Sequence, residues 1–186
     1  MPLSTTSVVN VASISDSSLG WIGLVSGDAG LRRVTFGHTS RDAARSILAE
    51  SLALLADSLG DALTGGGDDE SLLTRLVEFA SGGADDFHDI ELDLDDLSRF
   101  QRRVIEMCRR IPYGSTCSYG ELAERAGNPG AARAVGSVMA ANRWPLVVPC
   151  HRVVQAGGNL GAYSAPQGVR MKRRLLDMEA AAYASG

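Results

Sequence analysis

The chain offers chemistry where a cysteine is followed directly by a histidine, Cys150-His151, after an apolar run at Leu146, Val147 and Val148 that Pro149 closes. A thiol with an unperturbed pKa near ~8.5 is only a few per cent ionised at neutral pH, and the thiolate is the attacking species, so a nucleophilic Cys150 needs something that favours its anion. His151 is the nearest base. Neighbouring side chains on an extended segment point to opposite faces, so the two cooperate only if the chain turns there or a water bridges them. Glu179 is the next candidate: it lies three residues after Leu176 and four after Leu175, on a helix expected from Gly168 to about Tyr183, beside that helix's apolar stripe. A carboxylate buried there needs a partner, and orienting and charging His151 would provide one; otherwise Glu179 is a partly exposed residue of a short helix.

Helices must position this pair. Phe100, Val104, Met107, Cys108 and Ile111 form one stripe of an amphipathic helix, with Arg99, Arg102, Arg103, Arg109 and Arg110 opposite and Pro112 ending it. Cys108 therefore reads as a packed apolar residue. Ser118-Tyr119-Gly120-Glu121 is a capping box, which puts Tyr119 in the first turn of a helix running to about Ala126. Gly127-Asn128-Pro129 breaks it, and a further helix from about Gly130 packs through Ala131, Ala134, Val135, Val138 and Met139. Two short helices about a tight turn predict a helix-turn-helix. The outer face of the second holds Gly130, Arg133, Gly136, Ser137 and Ala140: one long cation among residues small enough for close approach, or simply an arginine exposed on an alanine-rich helix.

Residues 1–95 carry 5 arginines, no lysine and 16 acidic residues, a balance of −11; residues 96–186 carry 13 basic and 6 acidic residues, a balance of +7. A basic half within an acidic protein points to a polyanionic partner, because phosphate neutralisation supplies much of nonspecific nucleic-acid affinity; the alternative is a solvated acidic domain beside a mildly basic one. The expected division is a scaffold domain at 1–95 and a mainly helical domain at 96–186. In the first, Ser7–Ser13, Trp21–Val25 and Leu31–Phe36 read as an antiparallel meander. A helix follows over Arg41–Leu59, then an acidic loop over Gly65–Glu70, a helix over Ser71–Ala80 and a strand over His88–Leu94 with Ile90, Leu92 and Leu94 inward. His38 and His88 read as surface or structural histidines.

At 45% apolar content the chain can build a core, and no apolar run approaches the roughly 18 to 20 residues that span a bilayer. The N-terminus lacks a signal-peptide pattern, so a cytoplasmic protein is expected, or a nuclear one in a eukaryote. Cys108, Cys117 and Cys150 lack C-x-x-C spacing, so reduced thiols are expected and neither a disulfide framework nor a zinc cluster is indicated.

The string NRWPLVVPCHRVV, with SYGELA, AARAVG and KRRLLDME, resembles the O(6)-alkylguanine-DNA alkyltransferases, over Phe100 to Glu179. The resemblance implies an α+β fold: an N-terminal α/β domain resembling ribonuclease H, then a mainly helical, winged-helix-like domain with the helix-turn-helix. It implies direct repair of double-stranded DNA carrying O(6)-alkylguanine, with O(4)-alkylthymine as a further substrate, by stoichiometric, irreversible alkyl transfer to a cysteine after nucleotide flipping. Such a protein is a single-turnover methylated-DNA–protein-cysteine S-methyltransferase, expected as a monomer with no cofactor, no metal, no membrane association and no obligate protein partner. Residue by residue, Cys150 would accept the alkyl group, His151 would be its base through water and Glu179 would orient His151. Tyr119 would donate to the departing guanine and crowd the adjacent phosphate. Asn142 would tie the recognition helix to the cysteine segment, although it also reads as a simple helix cap. Arg133 would enter the duplex, supported by Ala131, Gly136 and Ser137, and Pro145, the backbone around Cys150 and Val153, and the loop at Tyr163 and Ser164 would line the base pocket.

The stretch from Tyr163 to Lys172 reads two residues longer than the common family loop, with Pro166 in the insertion. The first 95 residues contain no cysteine, so the zinc-binding module of the inducible relatives is not expected, and Cys150 stands where the alkyltransferase-like proteins carry tryptophan. Two other functions remain open on these residues. One is a noncatalytic helix-turn-helix regulator with a redox-sensing Cys150, and the other is a cysteine hydrolase using Cys150 and His151.

Overall fold

The computed structural model describes residues 12–53 and 68–184. Strands β1 (Ala12–Ser15), β2 (Trp21–Gly27) and β3 (Gly30–His38) form an antiparallel meander in the order β1-β2-β3. Alternation along β2 sends Ile22 and Leu24 to one face and Gly23 and Val25 to the other. Helix α1 (Arg41–Ala53) covers the Gly23 face, where a Cβ on residue 23 would stand 2.7 Å from a Leu48 methyl; Val25 and Leu48 share a small core with Ala12. Helix α2 (Asp68–Ala80) brings Leu72, Leu76 and Phe79 into the main core with Ile22 and Leu24. The N-terminal part of the strand expected at Ser7–Ser13, the end of the helix expected to Leu59 and the start of the loop expected at Gly65 lie outside the described residues.

Two expectations for this half are corrected. Residues 68–70 open α2 rather than lying in a loop. His88–Leu94 is not a strand: it makes one isolated parallel bridge, Leu92 to Leu31, although Ile90, Leu92 and Leu94 do pack on the core as their alternation predicts. Side-chain pattern alone cannot supply a hydrogen-bonding neighbour along a whole segment.

The second half opens with α3 (Arg99–Arg109), which buries Val104, Ile105, Met107 and Cys108 and starts with a Ser98–Gln101 capping box. The two-residue strand β4 (Cys117–Ser118) pairs in parallel with β5 (Val153–Val154). Helices α4 (Tyr119–Arg125) and α5 (Ala132–Ala140) form the helix-turn-helix, and α4 carries the expected Ser118–Glu121 capping box. In α5 Val135, Val138 and Met139 are buried, whereas Ala134, expected inward, is exposed. Helix α6 (Val169–Ala184) packs Met171 and Leu175 into the main core, which is continuous from the sheet to this last helix. Among the described residues no helix is long and apolar enough to cross a membrane.

Candidate active site

Asn142 shapes the segment that follows α5. Its Oδ1 accepts the Trp144 N–H (3.0 Å), while Nδ2 donates to the Val148 carbonyl (3.0 Å) and to Cys150 Sγ (3.1 Å), so one amide closes the loop and touches the sulfur. Trp144, Leu146, Val147 and Val148 are buried, and the Trp144 indole donates to the Leu31 carbonyl of β3 at 2.6 Å. Leu146 adopts a left-handed backbone (φ 75°), a conformation disfavoured for a side chain that size and held here by the packing around it. Pro149 leads into a single 3-10 turn, Cys150–Arg152. The chain therefore turns at Cys150-His151, so the two side chains are not sent to opposite faces of an extended segment.

His151, Arg152 and Glu179 are buried together. His151 Nε2 lies 2.8 Å from Glu179 Oε1, and Arg152 grips both carboxylate oxygens through Nε (3.1 and 3.0 Å) and Nη2 (2.9 Å). The Gly114 N–H adds a bond to Oε2 (3.0 Å), and Arg152 Nη1 donates to the Ile111 carbonyl (2.7 Å). Burial alone would raise the Glu179 pKa, but the hydrogen bonds from His151 and Arg152 and the Arg152 charge outweigh it and bring it down to about 2. Burial also dominates at His151 and lowers its pKa despite the opposing pull of Glu179. The imidazole is thus neutral at neutral pH. Donating from Nε2 to the carboxylate assigns the proton to that nitrogen and leaves a lone pair on Nδ1, which is buried without a hydrogen-bond partner. A neutral histidine held in this tautomer can accept a proton.

Burial pushes the Cys150 thiol above its ordinary pKa, against the opposing influence of Asn142, Tyr163 and Lys172. The site at rest therefore holds a thiol, and the anion expected from sequence must form as its proton leaves. Lys172 is buried, with Nζ donating to the Val153 and Leu160 carbonyls at 2.6 Å each and lying 5.9 Å from the Tyr119 and Tyr163 ring centroids. The Tyr163 hydroxyl is buried beside the sulfur without a hydrogen bond of ordinary geometry, and burial followed by the Cys150 charge raises its pKa. Tyr119 is half-buried, its phenol raised first by burial and then by Cys150.

A cavity of about 630 Å3 lies between α5 and this cluster, with Tyr119, Arg133, Gly136, Met139, Cys150 and Tyr163 on its walls. Ser164 also lines it, whereas Pro145 lines a second cavity that shares Cys150. Val153, expected at the pocket through its backbone, has its side chain wholly buried in β5, and its carbonyl accepts from Lys172. Arg133 is exposed; Ser137, also exposed, spends its hydroxyl on the Arg133 carbonyl (3.3 Å), and Ala131 is the N-cap of α5. At Gly136 a Cβ would come 4.0 Å from the Tyr119 ring, in ordinary contact, so this glycine brings the helix face close to that ring.

Sequence reasoning missed Arg152 and Lys172 as site residues. The first adjoins Cys150-His151, and the second lies seven residues before Glu179 and three before Leu175, on the apolar side of α6. Asp85, Asp86 and Asp89 are the acidic residues close enough together to share a cation among the described residues, but Arg75 already bridges Asp85 and Asp89.

Residues 99–181 match the family model described as 6-O-methylguanine DNA methyltransferase, DNA binding domain. The methylated-DNA–protein-cysteine methyltransferase of Methanothermobacter thermautotrophicus is 42% identical over 110 residues, 59% of this chain and 60% of that protein. The chain thus spans under two thirds of the length of this relative. The protein of the same name from Methanopyrus kandleri is 40% identical over 111 residues, 60% of this chain and 80% of that protein. The crystal structure of Mycobacterium tuberculosis OGT in complex with DNA superposes with a TM-score of 0.71 and 32% identity, covering 92% of this chain and 93% of the other.

Proposed function

The chain belongs to the O6-methylguanine-DNA methyltransferase family, and from that membership we propose that it repairs double-stranded DNA by moving the alkyl group of O(6)-alkylguanine irreversibly to Cys150. The observation that carries this is the placement of the Cys150 sulfur in the wall of the α5 cavity, with a neutral His151 locked by Glu179 and Arg152 close behind it. An alkyl group on guanine O6 cannot be reached inside a duplex, so the nucleotide must rotate out at a cost of a few kcal/mol, which a weakened base pair lowers. Arg133, on the exposed face of α5, fills the gap, and the small residues Gly136 and Ser137 let that face lie against DNA. The flipped base enters the cavity beside Tyr119.

The thiol proton passes to His151 Nδ1 through a bridging water. Sγ attacks the alkyl carbon, the C–O6 bond breaks with its electron pair left on the guanine, and Tyr119 donates a hydrogen bond or proton to the departing base. Glu179 balances the imidazolium formed, while Asn142 and Lys172 offset part of the cost of a buried thiolate. A thioether is not readily hydrolysed, so each molecule acts once. Action as a monomer without cofactor, in the compartment that holds the DNA, and the division of the chain near residue 95 belong to the same proposal; the charge split supports the division.

The test is mass spectrometry of the Cys150 peptide after incubation with duplex containing O(6)-methylguanine. One methylene equivalent per molecule is expected, absent in Cys150→Ala. Unmodified Cys150 in folded protein given excess lesion would sink the proposal, multiple turnover on esters would replace it with hydrolysis, and a reversible response to oxidant with operator-specific binding would replace it with regulation.

A further inference from the structure

The cluster of His151, Arg152 and Glu179 is bordered by two aromatic rings. Phe79, in the last turn of α2, meets His151 edge to face, with 6.5 Å between ring centroids and 65° between planes. Tyr113, which follows α3, has the Arg152 guanidinium carbon 5.5 Å from its ring centroid. The two rings also meet one another, at 5.8 Å and 84°, and Phe87 packs on Phe79 at 5.7 Å. These spacings are those of aromatic rings in direct contact. The Tyr113 hydroxyl donates to the Gly82 carbonyl at 3.5 Å and the Gly82 N–H to the Phe79 carbonyl at 2.9 Å, so the end of α2 is tied to the segment that carries Tyr113. Phe79 and His151 are both buried. The stretch that matches the family model begins at residue 99, so Phe79 reaches the relay from outside it.

Two influences oppose one another at His151: burial favours the neutral imidazole, and Glu179 favours the imidazolium. The charged and titratable groups about the ring are Glu179 and Lys172 of α6, Arg152 and Cys150 of the 3-10 turn, and Tyr113 packed on Phe79. Phe79 adds no charge to them. It places apolar surface where water would otherwise solvate an imidazolium. Resting on the alkyl-transfer reading, we propose that Phe79 is a positioning residue of the relay, whose ring keeps water from His151 so that the imidazole stays in the form able to take the Cys150 proton. Without that ring, water reaches the imidazole while Glu179 stays in place. The influence of burial falls, that of the carboxylate remains, and His151 becomes protonated at a higher pH than before. A protonated His151 has no lone pair on Nδ1 and cannot accept. Phe79 thus sets the lower pH bound of transfer without taking part in the displacement itself.

The experiment is single-turnover transfer by the full chain from saturating O(6)-methylguanine duplex, from about pH 5 to about pH 8, beside an NMR titration of the His151 ring. Wild type is compared with Phe79→Leu, Phe79→Val and Phe79→Ala. The acid limb of the rate profile and the ring titration are expected to move upward together, by about one pH unit in Phe79→Ala and less in Phe79→Val, a modest part of what full burial can do. On that limb the alanine variant is then about tenfold slower than wild type, while the plateau at high pH changes little. Phe79→Leu keeps the apolar bulk and should keep the wild-type limb. A rate lowered equally at every pH, with the limb unmoved, marks a packing role alone and overturns the proposal. A wild-type His151 ring that titrates at or above 6.5 overturns it too, and needs no variant to fold. The NMR arm requires no transfer: if the wild type alkylates nothing yet its ring titration moves in Phe79→Ala, the alkyl-transfer reading fails and the cover over His151 stands.

Discussion

Two arginine–carboxylate clusters, one in each half of the molecule, use the same bonds in opposite surroundings. Arg75 bridges Asp85 and Asp89 at 2.7 to 2.9 Å near the surface, with the Asp89 side chain 63% exposed. Arg152 grips Glu179 at 2.9 to 3.1 Å where the carboxylate is wholly enclosed. Near-identical distances conceal different energetics. Water already solvates the first cluster's charges and returns most of what a lost bond would take, whereas in the second each group depends on the others for compensation. A surface pair can therefore be dispensable where a buried one cannot. The buried cluster also fixes which nitrogen of His151 carries the proton, so its geometry reaches the chemistry.

The strongest way to break this contrast is Arg152→Met, which leaves Glu179 buried with His151 and one backbone N–H. It is expected to cost about 3–5 kcal/mol in urea unfolding; a loss under 1 kcal/mol would make the two clusters equivalent. Glu179→Gln should slow alkylation by roughly a hundredfold, the scale of a weakened general base, while DNA binding in a mobility-shift titration is retained. Unchanged rates would remove Glu179 from the relay.

Acid titration sharpens the contrast. The folded-state pKa of His151 is depressed below 6.5, so its contribution is complete above that pH and declines as pH falls, because the unfolded chain takes up a proton that the folded chain resists. Glu179 adds a second loss that begins near its ordinary value of 4.5 and ends near 2. Denaturant midpoints should fall from pH 6.5 downward, with a slope of up to about 1.4 kcal/mol per pH unit for each group. A flat profile to pH 5 would show that His151 is already charged in the fold. The smallest effect is expected from Arg75→Ala: under about 1 kcal/mol in unfolding, with unchanged transfer from alkylated duplex.

Much of the frame was legible in residue order. Periodicity located α1, α3 and α6, turn residues located the meander, and the Ser118–Glu121 capping box located Tyr119. The Ser98–Gln101 box that opens α3 is equally legible in residue order. Charge counting misled in one respect: two of the 13 basic residues that make the second half positive, Arg152 and Lys172, are buried around Glu179 and Cys150, so they cannot meet a polyanion. A long cation looks the same in a sequence whether its partner is phosphate, water or a buried carboxylate. Likewise the thiol could be identified as reactive by its neighbours, but not the balance at rest, where desolvation exceeds the help from Asn142, Tyr163 and Lys172.

By itself the sequence determined local matters: where helices begin and end, which faces are apolar and which adjacent residue types can exchange a proton. These depend on bonds and contacts within a few residues. Only the tertiary structure decided that Arg152 rather than solvent neutralises Glu179, that Lys172 takes the Val153 carbonyl, and that Arg33 of β3 shares a cavity with Cys150. Burial and long-range pairing depend on segments far apart in the chain, and no spacing of residue types encodes which of them will exclude water together.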